Sequence, residues 1–415
     1  MPRSTAARIG GAAVAMILVA ELCVWLLGPG DPPWDPLAVS ESAYFEPGEL
    51  DRARDYRDGQ RWLLLAGMAI ELAALAALAL GRPAAVRRGL DRLGRRPLLG
   101  AATAGAAIAI LLELATLPTS LAAHERAVDA GLSSQSLGPW IWDLARAAAI
   151  GALLTALAAL LLIALVRRFP RRWWLPGAAA VALLAALFVW VAPVVLSPVF
   201  NDYEPLPAES RTRADVLALA ERAGVDVGEV LSVDASRRVT SLNAYVDGLG
   251  STKRVVLYDN LLTGAARAEL NSVVAHELGH VAHSDLPRGL LYIALVAPLG
   301  LLFTRELATA LARRGGADPA SPAALPAYLL AFSLAALMLN VPGNQLSRQV
   351  EADADAFALE LTDDPRALVD LQLRLARANL GDPDPPAIAT ALLATHPPTI
   401  DRIGAALAYE RAAGD

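Results

Sequence analysis

Long runs of apolar residues alternate with short polar connections along most of the chain. Seven apolar windows stand out, most of them close to the ~20 residues that an α-helix needs to cross a bilayer. They cover residues 9–28, 62–81, 98–117, 143–166, 175–196, 289–303 and 324–342. The sixth window is short, so its helix should either extend toward residue 285 or be partly re-entrant. The pattern predicts a protein of about seven transmembrane helices.

The polar segments after the fifth window have a different pattern. They contain the helix-like run LALAERAG, then the strand-like runs VLSV and VVLYDNLL, and later a polar, mostly helical stretch. We therefore expect a mainly α, multi-span membrane protein whose small α+β domain is divided by a membrane hairpin. The expected boundaries are 1–196 for five spans, 197–288 for the first part of the domain, 289–343 for the hairpin and 344–415 for the second part.

Composition supports a membrane protein and excludes several classes of function. The 415 residues are 55% hydrophobic and only 19% charged, below the ~25% of typical soluble domains. A formal net charge of −6 argues against a nucleic-acid partner, since such proteins are usually basic. Cys23 is the single cysteine, which excludes a disulfide framework and a cysteine metal cluster. Any metal must be held by His, Asp or Glu.

Arginine is concentrated in two of the short connections. Residues 82–97 contain six arginines, and residues 167–172 contain four more. By the positive-inside bias, these loops and the N-terminus face the cytoplasm. The first window lacks a clear small-residue cleavage site, so we expect a retained helix rather than a signal peptide. The acidic, proline-containing stretch 29–60 is expected to be a solvated connection.

The sequence HELGH at residues 276–280 carries the strongest chemical signal. On a helix, His276 and His280 lie on one face, so both imidazoles can bind one metal ion about 2.0–2.1 Å away. Glu277 can take a proton from water at the metal without being a ligand. The surrounding stretch ARAELNSVVAHELGHVAH is strongly helical. The alternative is a buried histidine pair on a helix that binds no metal.

A catalytic zinc site needs a third protein ligand and an open fourth position. The metzincin spacing would require Gly and His at positions that hold His283 and Leu286. The polar helix SRQVEADADAFALEL at 347–361 instead offers Glu351 and Asp355, four residues apart on one face. We expect Glu351 to be the third ligand. Asp355 is either the acceptor that orients a ligand imidazole or a surface carboxylate.

Four sequence blocks, in this order, resemble the M48 family of integral membrane zinc peptidases, which contains the CAAX prenyl proteases and the HtpX-like proteases. HELGH matches the metal helix of the family, and SRQVEADADAFA matches the block that supplies its glutamate ligand. SLNAYVDGLGSTKRVVLYDNLL at 241–262 is similar to the strand before the metal helix, and THPPTIDRI at 395–403 resembles the C-terminal element. Seven spans and the PVFNDYEPLP stretch favour the CAAX-protease branch over the four-span HtpX type.

The resemblance implies a fold and a set of catalytic roles. The soluble part would be a split zincin-like metallopeptidase domain that holds one Zn²⁺ per chain through His276, His280 and Glu351. Glu277 would be the general base. His396 would stabilise the tetrahedral intermediate, although its Pro-Pro continuation also fits a simple turn.

Further residues acquire roles by the same resemblance. Asn243 and Ala244 would lie on an edge strand that pairs with the substrate backbone. Arg348 and Arg402 would support the site from outside the ligand set. His283, one turn beyond the motif, is expected to be exposed or to pack between helices.

The sequence therefore predicts a membrane-embedded zinc endopeptidase of the CAAX-protease type, multi-pass in the cell membrane. Its partners would be peptide or membrane-protein substrates and membrane lipid. The alternatives are an HtpX-like quality-control protease and a catalytically silent membrane scaffold. Composition rich in alanine and arginine suggests a high-GC bacterium, in which a prenylated substrate is unexpected.

The ligand types also suit cobalt or manganese. In the CAAX branch the catalytic domain faces the cytosol, whereas the arginine-rich loops place it outside, so both orientations stay open.

Overall fold

A computed structural model shows a bundle of long apolar helices joined to a smaller mixed domain. It describes residues 3–30, 32, 34–81, 89, 92–248 and 253–414. The first five long helices are α1 (Arg3–Leu27), α2 (Pro47–Ala76), α3 (Pro97–Asp129), α4 (Leu137–Arg168) and α5 (Trp174–Val191). A π-helical turn, Ala77–Gly81, extends α2, and a second one, Ala192–Leu196, followed by an α-helical turn, Ser197–Phe200, extends α5.

The remaining elements form the mixed domain and a second pair of long helices. The first group is β1 (Tyr203–Pro205), α6 (Arg211–Arg222), β2 (Glu229–Val233), β3 (Ala244–Asp247), β4 (Arg254–Tyr258), α7 (Asp259–Gly264) and α8 (Arg267–Ala282). The second group is α9 (Asp285–Arg314), α10 (Leu325–Thr362), α11 (Pro365–Ala378), α12 (Ala387–Leu393) and α13 (Thr399–Gly414).

The predicted spans are confirmed. Among the described residues, seven helices are long and apolar enough to cross a membrane, and each coincides with one of the apolar windows. The sixth span is a full-length helix that begins at Asp285, so the short apolar window is extended toward residue 285 and is not re-entrant. Helix α10 continues without interruption from the seventh span into the polar stretch that holds Glu351.

One polar segment is more ordered than predicted. Helix α2 begins at Pro47, inside the stretch 29–60 that was expected to be a solvated connection. Proline suits the first helical position, and the Glu49 carboxylate accepts a 3.0 Å hydrogen bond from the backbone N–H of Glu46. Because the first turns of α2 are polar, the pattern of apolar windows does not indicate where this helix begins. Of the arginine-rich connection 82–97, residues 82–88, 90 and 91 lie outside the described residues.

A four-stranded sheet organises the mixed domain, in the order β1-β2-β4-β3. β2 and β4 are parallel, whereas β1 and β3 are antiparallel to their neighbours. One face of the sheet packs on α8 through a buried core that includes Val255, Leu257, Leu270, Val274 and Leu278. β3 is the edge strand on the side of α8, so the helix that carries HELGH lies against the free edge of the sheet.

The membrane bundle holds the segment that leads into β3. The connection between α3 and α4 forms an antiparallel bridge, Ser133 with Val239, and the backbone N–H of Ser134 donates to the carbonyl of Arg238 over 3.1 Å. The Arg238 side chain contacts Asp143 of α4 at 2.8 Å. The edge strand is thereby positioned from the membrane domain as well as from its own sheet.

Candidate active site

Helix α8 places both histidines of the motif beside one another. Its N-terminus is capped by Glu269, which accepts a 2.7 Å hydrogen bond from the Ala266 backbone and a second 2.7 Å bond from Arg374. The apolar side of α8 packs on the sheet, which leaves His276 and His280, one turn apart, directed toward α10.

A glycine allows α8 and α10 to approach closely. A Cβ atom on Gly279 would lie 3.1 Å from Cδ1 of Phe357 and 3.3 Å from Cα of Ala354. Glycine inside a helix costs about 1 kcal/mol relative to alanine, so its presence here reflects the packing. The close approach brings Glu351 of α10 to the histidines of α8.

Three ligand-type atoms converge at the contact between the two helices. The Nε2 atoms of His276 and His280 are 3.2 Å apart. Oε2 of Glu351 lies 3.2 Å from Nε2 of His276, and its Oε1 lies 3.7 Å from Nε2 of His280. In a tetrahedral zinc site with bonds of ~2.0–2.1 Å, neighbouring ligand atoms are about 3.3 Å apart. The spacing therefore suits one metal ion held by these three side chains.

Hydrogen bonds behind the imidazoles determine which nitrogens are free. Nδ1 of His276 lies 2.9 Å from Asp355, and Nδ1 of His280 lies 2.8 Å from Asp285. A neutral histidine that donates from Nδ1 presents a lone pair at Nε2. Two lone pairs and the Glu351 carboxylate then face one another, and Glu351 Oε2 is buried without a hydrogen-bond partner among the described residues. Such a cluster suits a bound cation, and its donor set fits zinc.

The electrostatic surroundings of the first histidine are strongly negative. Burial lowers the pKa of His276, but the neighbouring Asp355 and Glu351 carboxylates outweigh burial and raise the pKa of the metal-free imidazole to about 10. Arg402 of α13 donates two 2.6 Å hydrogen bonds to the Asp355 carboxylate. Asp355 is therefore placed to accept a hydrogen bond from His276, and Arg402 holds Asp355.

Glu277 lies between the ligand cluster and the edge strand. Its side chain is half-buried, and burial raises its pKa above the usual range despite the nearby histidines. The backbone N–H of Val246 in β3 faces the carboxylate and opposes this rise in its pKa. This contact places the carboxylate beside the strand edge that the sequence predicted for substrate.

The backbone of β3 presents free groups at that edge. Residues of an antiparallel strand direct both backbone groups to the same side, alternating along the chain. The Tyr258 N–H donates to the carbonyl of Asn243 over 3.2 Å, so Asn243 and Tyr245 face β4. Ala244 and Val246 therefore direct their backbone groups away from β4. The Asn243 side chain is exposed and the Ala244 side chain is buried, so any substrate contact of Ala244 is through the backbone.

His396 and Arg348 have separate positions in the site. Nε2 of His396 lies 3.2 Å from Oε2 of Glu351, and the imidazole is more than half exposed, which places it at the open rim. Burial lowers the pKa of His396. Arg348 does not contact the ligand atoms: it donates to the carbonyls of Thr390 and Ala394 over 3.0 and 2.8 Å. Arg348 therefore holds the chain that leads into His396.

Two features of the site were missed by sequence reasoning. The Asp285 carboxylate can accept a hydrogen bond from His280 because Ser284, at φ 58°, turns the chain sharply between α8 and α9. The only sequence signal was an acidic residue soon after the motif. The Val246 N–H was missed because its direction depends on strand pairing. His283 lies 2.5 Å from Asp353 and packs edge-on against Phe357, outside the ligand cluster.

Known proteins are similar to the chain over nearly its whole length. Residues 208–410 match the family model of peptidase family M48. Residues 40–202 match the model described as the CAAX prenyl protease N-terminal domain, five membrane helices. The crystal structure of S. mikatae Ste24p superimposes with a TM-score of 0.76 at 17% identity, and the match covers 96% of this chain and 98% of that one. The mainly α fold with a divided metallopeptidase domain is thereby confirmed.

Sequence relatives agree with the structural match. A Bacillus subtilis protein named uncharacterized metalloprotease YhfN is 26% identical over 87% of this chain and 86% of its own. A CAAX prenyl protease 1 homolog of Arabidopsis thaliana is 31% identical, over 54% of this chain and 53% of its own. A protease HtpX homolog of Aeropyrum pernix is 31% identical, over 47% of this chain and 60% of its own. The chain therefore belongs to peptidase family M48 and is an integral membrane metalloprotease with the N-terminal membrane domain of the CAAX prenyl proteases.

Proposed function

We propose that the chain is a zinc endopeptidase, with one Zn²⁺ held by His276, His280 and Glu351. The observation that carries this proposal is the convergence of three ligand-type atoms, from His276, His280 and Glu351, at 3.2–3.7 Å from one another. Three protein ligands of the His₂Glu type are the set used by catalytic zinc sites, which keep a fourth position for water or substrate. When bound, the ion polarises the scissile carbonyl and makes water acidic near neutral pH.

Glu277 supplies the proton transfers. Its carboxylate accepts a proton from the attacking water as the water oxygen bonds to the carbonyl carbon. The resulting carboxylic acid then gives that proton to the nitrogen of the leaving amine as the C–N bond breaks. Burial favours the protonated form between these two steps, and the Val246 N–H keeps the carboxylate oriented.

His396 stabilises the charge that develops on the carbonyl oxygen. A neutral imidazole at the open rim, 3.2 Å from Glu351, can donate one hydrogen bond to that oxygen. Arg348 positions His396 through the backbone, and Arg402 with Asp355 keeps His276 in the tautomer that leaves Nε2 free.

The substrate binds in extended form along the free edge of β3. The outward backbone groups of Ala244 and Val246 allow an added strand to pair with the sheet, a common way to bind peptides without a strict side-chain requirement. The exposed Asn243 side chain lies at the start of this edge. A substrate strand there passes next to Glu277, which is the arrangement that peptide hydrolysis needs.

The class of substrate is a peptide or membrane protein at the surface of the cell membrane. The CAAX prenyl protease relatives and the matching N-terminal membrane domain support processing of a defined segment. The HtpX relative supports the alternative, quality control of membrane proteins without sequence preference. A catalytically silent scaffold would not need Glu277 beside three ligands.

The test compares the purified wild type with Glu277→Gln in detergent. Bound zinc is measured, and cleavage is assayed on a quenched peptide and on an unfolded membrane protein. The proposal expects about one zinc in both proteins and cleavage by the wild type alone. Zinc binding without cleavage of either substrate would favour the scaffold, and no bound metal would refute the ligand set.

A further inference from the structure

Most of the exposed arginines of the membrane bundle lie at one of its two ends. This arginine end consists of the start of α1, residues 92–96 before α3, residues 167–173 between α4 and α5, and residues 313–321 between α9 and α10. Arg8 of α1 pairs with Glu306 at 3.2 Å, and Arg167 donates to the carbonyl of Ala320 over 3.4 Å. A shared apolar cluster includes residues from α2 to α5 as well as α9 and α10. The connections are therefore neighbours in space.

Each connection of the arginine end contributes exposed positive charge. Arg92, Arg95 and Arg96 are exposed in the turn before α3. In the connection from α4 to α5, the exposed arginines are Arg167, Arg168, Arg171 and Arg172. The last turn of α9 adds the exposed pair Arg313 and Arg314.

The opposite end holds the active site, and its two short connections lack basic residues. The connection 28–46 after α1 and the connection 130–136 after α3 contain no arginine or lysine, and the former carries several carboxylates. Both contact the metallopeptidase domain: the Leu37 N–H donates to Gly404 over 3.1 Å, and Ser134 bonds Arg238. Farther along, the polar start of α2 carries four arginines, of which Arg52 is exposed, together with four carboxylates, and Arg54 is paired with Glu41.

Short loops rich in arginine and lysine are retained on the cytoplasmic side of a membrane, and it is these short loops that set the orientation. Every short connection at the arginine end is basic, and neither short connection at the active-site end is. We propose that the arginine end faces the cytoplasm and that the active site opens on the extracytoplasmic side. The substrates are then segments of membrane proteins or exported proteins on that side.

This proposal rests on the proposed peptidase function for its substrate class, but not for the orientation. A chain that reaches the free edge of β3 comes from the same side of the membrane as Glu277. An extracytoplasmic loop or a released tail of a membrane protein satisfies this requirement. A segment that stays in the cytoplasm does not.

The orientation is tested by labelling single cysteines in intact bacterial cells. Cys23→Ser removes the one cysteine, which is buried. Ala208→Cys, exposed before α6, reports the active-site end, and Pro170→Cys, exposed between α4 and α5, reports the arginine end. Glu209→Cys and Phe169→Cys, also exposed, form a second pair in case one thiol does not react. The probe is a membrane-impermeant maleimide, applied before and after permeabilisation.

We expect at least about tenfold more labelling of Ala208→Cys and Glu209→Cys than of Pro170→Cys and Phe169→Cys in intact cells, with all of them labelled after permeabilisation. The reverse pattern, or equal labelling of both ends in intact cells, would overturn the proposal. The same measurement in a Glu277→Gln background gives the same answer, because labelling does not depend on cleavage.

The substrate class has its own test. The peptide that the purified enzyme cuts fastest is placed in a single-span reporter protein, on the outer side in one version and on the inner side in the other. The proposal expects cleavage of the outer version by the wild type and not by Glu277→Gln. Cleavage of the inner version would overturn it. The expected labelling pattern without cleavage of either reporter would refute the substrate class while the orientation stands.

Discussion

Nδ1 of His276 lies 2.9 Å from Oδ1 of Asp355, and this contact ties a proposed metal ligand to the C-terminal helix. The Asp355 side chain is buried, with 2% of the residue exposed, and its other partner is Arg402 of α13. Water cannot replace either partner of a carboxylate buried to this degree. The sequence elements around 276, 355 and 402 are therefore one hydrogen-bonded unit, although they are far apart along the chain.

Replacing Asp355 by Asn should weaken zinc binding. The amide keeps the shape of the side chain but loses the charge that makes His276 a strong ligand and that neutralises Arg402. Loss of such a partner typically costs 10- to 100-fold in metal affinity. Competition with a chromophoric chelator measures the affinity. Asp353→Asn is the matched control, because Asp353 lies on the same helix and contacts His283 instead. Equal losses in both variants would contradict the role of Asp355.

Adding a methyl group at Gly279 should separate α8 from α10. The new Cβ would meet the Ala354 backbone at 3.3 Å as well as Phe357, and a backbone atom cannot rotate away. Gly279→Ala is therefore expected to lower both the zinc content and the midpoint of thermal unfolding. In Gly289→Ala, the added Cβ has nothing within 4 Å. That variant should be neutral or slightly stabilised, by up to about 1 kcal/mol. A Gly279→Ala protein with full zinc occupancy would refute the packing argument.

Removal of the metal should destabilise the fold around the site. Without the metal, the two Nε2 atoms and the Glu351 carboxylate remain at 3.2–3.7 Å from one another with no ion to link all three. A ligand present at 100 times its Kd stabilises the folded state by about 2.7 kcal/mol. Chelation is therefore expected to lower the unfolding midpoint by several degrees. In Glu277→Gln, the chelator should lower the unfolding midpoint as much as in the wild type. In Glu351→Gln, the midpoint should be below that of the wild type both with and without chelator.

Sequence reasoning reached the parts of the site that depend on helical spacing. His276 and His280, and separately Glu351 and Asp355, are each four residues apart, so a single helix face brings each pair together. The pairing of Asp285 with His280 depends instead on a left-handed residue between two helices, which no periodicity predicts. The Val246 N–H and the early start of α2 depend likewise on strand pairing and on capping.

Asn379 should affect substrate binding without affecting the metal. Its Oδ1 accepts a 3.1 Å hydrogen bond from the Leu242 N–H, just before the edge strand, and Arg57 of α2 holds its carbonyl at 2.6 Å. Asn379→Ala leaves the Leu242 N–H unpaired and loosens the strand, so we expect a several-fold higher KM with unchanged zinc. Asn379→Asp keeps the acceptor and should behave like the wild type. A change confined to kcat would contradict this role.

Arg348 should act on catalysis only through His396. It binds the carbonyls of Thr390 and Ala394 and does not reach the ligand atoms, so Arg348→Gln is expected to lower kcat while zinc affinity stays unchanged. Removal of one oxyanion donor costs about 10²–10³ in kcat, which is the loss expected for His396→Ala. If Arg348 works by positioning that imidazole, the double variant loses no more than His396→Ala alone. Additive losses would show that Arg348 has a separate role.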